Sequence, residues 1–124
     1  MIDKKIPFEF LFDYLISLDI KTKPMFGLWA IYLDEKIMLI LRQRDKNPES
    51  NGVWIATSQE FHSSLKKDIP SLTSLTSNDL KDTEWQLIPE EHPDFEASVR
   101  KACELIVNKD ARIGRIPKPK KKKG

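Results

Sequence analysis

Two short segments, residues 28–33 and 37–41, are apolar at nearly every position and are separated only by Asp34-Glu35-Lys36. Neither is long enough for an independent helix. Both are rich in Ile, Leu and aromatic residues, so they read as the antiparallel strands of one hairpin. Asp34-Glu35 is a weaker tight-turn signal than Asn-Gly, which predicts a three-residue loop or a small bulge. A strand with one wet face alternates apolar and polar residues, and these two do not. Helices can cover one face of such a sheet. The other would expose a contiguous apolar patch, which is uncommon on a soluble monomer. The simplest cover is a second copy of the chain, so a homodimer through the open sheet face is expected.

The flanking sequence supplies the helices. Phe8, Leu11, Phe12, Leu15, Ile16 and Leu18 recur at spacings of three and four, which predicts a helix over 7–18 that starts at Pro7. Lys21 to Pro24 ends it, because the residue before a proline favours extended backbone. Residues 43–52 form a polar loop and 53–56 a third strand. Thr57-Ser58-Gln59-Glu60 has the spacing of a capping box, which predicts a helix over 58–67. Residues 72–76 and 84–88 read as two further strands. After Pro93, the stripe Phe95, Val99, Ala102, Cys103 and Ile106 predicts a closing helix. The expected order is α-β-β-β-α-β-β-α. That is an α+β, two-layer domain with helices packed on a five-stranded, mainly antiparallel sheet.

Length and charge bound the rest. A chain of 124 residues with 40% apolar side chains can bury one core. No apolar run approaches the roughly 18 residues of a membrane helix. The N-terminus lacks a signal peptide's apolar region, and the lone Cys103 builds no disulfide framework, so a cytoplasmic protein is expected. The net charge of +2 hides a division. Residues 109–124 carry eight Lys/Arg and one Asp, a charge of +7, against −5 for the remainder. The expected division is a single domain over 1–109 and a basic, disordered tail over 110–124.

Pro24-Met25-Phe26-Gly27, the hairpin that follows it, Trp85-Gln86-Leu87-Ile88-Pro89 and Lys101-Ala102-Cys103-Glu104-Leu105 together resemble the TfoX N-terminal domain-like family. The resemblance spans residues 8–108. It implies a type III secretion chaperone-like α+β fold and a regulatory role tied in some members to natural competence. It brings no catalytic residues and no cofactor. Pro24, Met25, Phe26 and Gly27 are the family-motif residues, read as a structural joint: Gly27 lets the chain turn, and Met25 and Phe26 plug the core.

The residues offer little chemistry. Cys103, His62 and His92 lie far apart in sequence, which is no metal-ligand spacing. Cys103 falls on an apolar helix stripe and reads as a buried structural thiol. There is no GxSxG elbow, P-loop or GxGxxG. Trp29, Trp54 and Trp85 all fall in expected strands, which favours packing over base stacking. The expectation is a non-enzymatic, regulatory protein-interaction module with an unidentified protein partner. The alternative is nucleic-acid association through Arg112, Arg115, Lys118, Lys120, Lys121, Lys122 and Lys123, whose phosphate contacts would carry no sequence information. A small-ligand site would be sought near Arg42, Arg44 and His62.

Overall fold

The computed structural model describes residues 6–75 and 84–116. Among them one antiparallel sheet of six strands carries three helices, an α+β architecture with one strand more than expected. The elements are α1 (Leu11–Tyr14), β1 (Ile20–Met25), β2 (Leu28–Leu33), β3 (Lys36–Arg42), β4 (Gly52–Ile55), α2 (His62–Asp68), β5 (Thr73–Ser74), β6 (Gln86–Pro89) and α3 (Phe95–Val107). The spatial order is β1-β2-β3-β4-β6-β5, so β1 is an edge.

The unbroken apolar run of β3 has a local cause. Pairing with β2 steps from Ile31↔Leu39 to Tyr32↔Ile37, leaving Met38 as the extra residue of a bulge. Met38 and Leu39 therefore both join the core on the helix side, while Ile37 and Ile40 join the other face. The loop itself is tighter than expected. Leu33 pairs with Lys36 across a two-residue Asp34-Glu35 turn, with Asp34 at φ +58°.

Each sheet face has its own core. Ile31, Leu39, Leu41, Val53, Ile55 and Ile88 pack under the helices with Leu11, Leu65, Phe95, Val99 and Ile106. The opposite face gathers Ala30, Ile37, Ile40, Trp54, Ala56 and Leu87. Tyr32, Leu28, Met25 and Trp85 pack around that second cluster, and the Trp54 and Trp85 rings meet edge-on at 6.3 Å. The face expected to lie open is thus buried within one chain, with Ile40 at 3% and Trp54 at 9% exposure.

The first helix shrinks to α1. Phe8 and Phe10 both reach Phe95, at ring-centroid distances of 5.0 and 6.2 Å. Residues two apart cannot share a helix face, so meeting one partner requires non-helical backbone, and Phe8 adopts φ +57°. The segment expected only to end that helix instead forms β1, paired with β2 from Ile20↔Leu33 to Met25↔Leu28.

The capping box does not form. Thr57 Oγ1 is buried without a hydrogen-bond partner, and the Gln59 N–H donates to Glu84 Oε1 at 3.0 Å. The carboxylate that serves the turn leading into α2 comes from 25 residues away.

The folded body also extends beyond residue 109. After α3 the chain doubles back as a strap. Ile113 is 1% exposed inside the main core, and Arg115 exchanges two backbone hydrogen bonds with Ile37, at 2.8 and 3.0 Å. Gly114 sits at φ +109°, and a Cβ there would lie 2.7 Å from Met38 Sδ, so the strap can approach β3 only through glycine. Residues 110–116 are part of the fold. The expected tail beyond them, residues 117–124, lies outside the described residues.

Candidate interaction surface

The β1–β2 turn is Phe26-Gly27, flanked by the Met25↔Leu28 pair. Phe26 takes φ +51° and Gly27 φ +83°. A two-residue turn with positive φ at both positions matches strand twist and ordinarily uses Asn-Gly. A bulky aromatic in the left-handed region costs roughly 1–2 kcal/mol against the right-handed one. Its side chain recovers little of that by packing, because Phe26 is 92% exposed. The expectation that Phe26 plugs the core is therefore overturned. Met25 does pack inward, on the second cluster.

The loop between β3 and β4 braces this tip. Arg42 is only 8% exposed and has no carboxylate bonded to it among the described residues. Its guanidinium donates to the Asn47 carbonyl at 2.9 Å, the Lys46 carbonyl at 2.6 Å and Asn51 Oδ1 at 2.6 Å. Burial, and then the neighbouring Arg44 charge, lowers its pKa, with Glu49 opposing. Asn51 in turn accepts the Arg44 N–H at 2.9 Å and donates to the Arg44 carbonyl at 2.8 Å. These bonds place Arg44 so that its Nη1 donates to the Phe26 carbonyl at 3.1 Å. Two loops distant in sequence are thus tied together at the Phe26 backbone carbonyl. The sequence carried a signal for this in Asn47-Pro48 and Asn51-Gly52, but it names turns rather than the arginine they fold around.

Beside the tip, β1 presents Lys21 and Lys23. Lys23 Nζ lies 5.5 Å from the Tyr32 ring centroid. Lys21 pairs with Asp19 at 3.7 Å, both side chains being mostly in water, which contributes little.

The remaining candidates lie elsewhere. Arg42 pairs with Gly52 at one end of β4, whereas His62 hydrogen-bonds the Glu84 carbonyl beside Gln86, which pairs with Ile55 at the other end. Arg42, Arg44 and His62 therefore do not converge on one pocket. His92 Nδ1 accepts the Asp94 N–H at 3.0 Å, a local turn bond. Cys103 is buried, and burial pushes its thiol up to about 12. Among the described residues no His/Cys/Asp/Glu group could hold a metal ion, and no helix is long and apolar enough to cross a membrane. An open cavity of about 480 Å³ lies between the β2–β3 turn and the strap, lined by Leu33, Met38, Ile106, Ile113 and Ile116 together with charges of both signs.

Of the expected nucleic-acid contacts, Arg112 is committed inside the fold. It donates to Asp110 through Nε and Nη2, at 2.9 and 2.8 Å, and to Asp68 at 2.8 Å. Those bonds raise the pKa of Arg112 and hold the Asp110 carboxyl below the usual carboxylate range. Arg115 is fixed through its backbone to Ile37. Lys118, Lys120, Lys121, Lys122 and Lys123 lie outside the described residues.

The fold and this surface define a small α+β domain with a braced hairpin turn that exposes Phe26. No protein-family model, no curated protein and no solved structure matches the chain.

Proposed function

We propose that the chain is a non-enzymatic protein-interaction module that docks through the tip of its β1–β2 hairpin, in keeping with the regulatory role its TfoX-like motifs imply. One observation supports this most directly: Phe26 stands 92% exposed on left-handed backbone, braced by Arg44. Neither packing nor turn chemistry accounts for a phenylalanine there, whereas a rigid aromatic anchor suits a partner's apolar pocket. The test compares immobilised wild-type protein with Phe26→Asp for the proteins each retains from native lysate after nuclease treatment. The expected result is a set retained by the wild type and lost by the variant. Identical retained sets would refute the reading.

Self-association through the second sheet face is the weaker form of the proposal, because Ile40, Trp54 and Leu87 are already covered. A light-scattering mass of one chain at micromolar concentration removes it. The nucleic-acid alternative draws its support from the lysines after Pro117. With Arg112 paired, Arg115 and the five lysines leave about six phosphate contacts, and log K on duplex DNA should fall with log salt at a slope of about −5. Removing residues 117–124 should abolish that retention, and unchanged retention at low salt would refute it.

A further inference from the structure

The outer edge of β1 has a register suited to receiving another strand. In a hairpin closed by a two-residue turn, the flanking pair is hydrogen-bonded and the pairs alternate from there. Met25↔Leu28 is that flanking pair, so Lys23↔Ala30 and Lys21↔Tyr32 are bonded as well. Ile20, Thr22 and Pro24 therefore direct their backbone groups away from β2. Pro24 occupies an outward position, where its missing N–H costs the hairpin nothing. Among the described residues no strand pairs with this edge, and Lys21, Thr22, Lys23 and Pro24 are exposed.

The side chains divide by face. Lys21 and Lys23 stand on the side of Tyr32, and Ile20 packs with the main core on the other. An added strand would meet two ammonium groups on one face and an apolar border on the other. A second copy of β1 would bring lysine beside lysine, which is destabilising across a ladder.

We propose that β1 is the docking edge for an extended segment of another protein, acidic at alternate positions and apolar or β-branched between them, which adds as a seventh strand. The proposal rests on the interaction reading above and names its surface and the chemistry of its partner. Backbone hydrogen bonds to Ile20 and Thr22 would supply affinity, and the lysine pair would select the acidic face. Phe26 stands at the end of the same edge.

The probe is the peptide acetyl-Thr-Glu-Val-Glu-Val-Glu-Thr-amide, compared with its Lys-for-Glu counterpart. Binding is read by fluorescence anisotropy, and amide exchange is followed at Ile20 and Thr22. The acidic peptide should bind about tenfold more tightly than the basic one at low salt, with that ratio shrinking as salt screens it, and should slow both amides. Thr22→Pro removes an outward N–H without touching the β2 ladder and should abolish binding. Lys21→Glu/Lys23→Glu should invert the preference. Circular dichroism checks that both variants fold. Equal binding of the two peptides, binding unchanged in folded Thr22→Pro, or protection of the two amides that rises with protein concentration alone would each overturn the proposal. If Phe26→Asp loses cellular partners while Thr22→Pro keeps them, this inference fails and the interaction reading stands. If neither variant changes retention, both fail.

Discussion

Replacing Phe26 by Asn should stabilise the protein while removing its proposed anchor. The substitution places Asn-Gly, the favoured pair for a two-residue hairpin turn, where Phe-Gly now stands. At φ +51° the phenylalanine carries a left-handed penalty of roughly 1–2 kcal/mol, which asparagine largely escapes through its short polar side chain. The opposing loss is small. Phe26 is 92% exposed, and at roughly 25 cal/mol per Å² the covered remainder contributes about 0.4 kcal/mol. The Arg44 bond survives, since it uses the backbone carbonyl of residue 26. A net gain of about 0.5–1 kcal/mol follows, equivalent to a rise in melting temperature of about 2–5 °C for a domain of this size. Urea unfolding should show a higher midpoint with an unchanged slope. A loss of about 1 kcal/mol or more would show that the ring packs in solution, and would remove the basis for calling it an unpacked anchor. A gain in stability joined to loss of partner retention is the signature of a residue kept for function.

Three further outcomes test the fold around that surface. Ile113→Ala should cost about 2–4 kcal/mol in urea unfolding, since the side chain is 1% exposed; a cost below about 0.5 kcal/mol would place the strap outside the core. Asp110, held below its usual range by Arg112, contributes stability that is present above the unfolded carboxylate value of about 4 and is lost as pH falls through the lower folded value. Wild type should therefore lose more stability than Arg112→Met on acidification below about pH 4, and parallel unfolding profiles would refute the pairing. Cys103, with its thiol raised to about 12, should resist a thiol reagent in native buffer near pH 8 and react on unfolding, whereas rapid native labelling would contradict its burial.

Legibility in the sequence followed periodicity. The stripe of α3 and the β2–β3 hairpin could be read because each repeats an apolar pattern over its own length, and Phe95, Val99, Ala102, Cys103 and Ile106 are all buried. β1 escaped because Lys-Thr-Lys-Pro carries no apolar period, as suits an edge strand that need not bury both faces. The strap escaped because Ile113 and Ile116 are isolated apolar residues beside arginines and show no apolar period. The helix expected over 7–18 was drawn too long because spacing cannot show that Phe8 and Phe10 share one partner on α3.

The site followed the same rule. Pro24-Met25-Phe26-Gly27 announced a turn, and the positive φ at Gly27 agrees with it. That Phe26 points into water was not legible, because a two-residue turn can point either residue outward or inward until the neighbouring loop is placed. Arg42 read as part of a possible small-ligand pocket and Arg112 as a nucleic-acid contact in a basic tail, although one folds a loop around itself and the other joins α2 to the strap.

By itself the sequence determined an α+β domain, a buried hairpin, an amphipathic closing helix and an acidic body with a basic end. These follow from local patterns of hydrophobicity and charge, which act over a few residues. Only the tertiary structure decided that the second sheet face is covered within one chain, that the bulge at Met38 aims two neighbours into one core, and that Asp68 holds Arg112 from 44 residues away. It alone leaves Phe26 and the β1 edge unburied. Each of these depends on which distant segments meet, and that is settled by the packing of the whole chain.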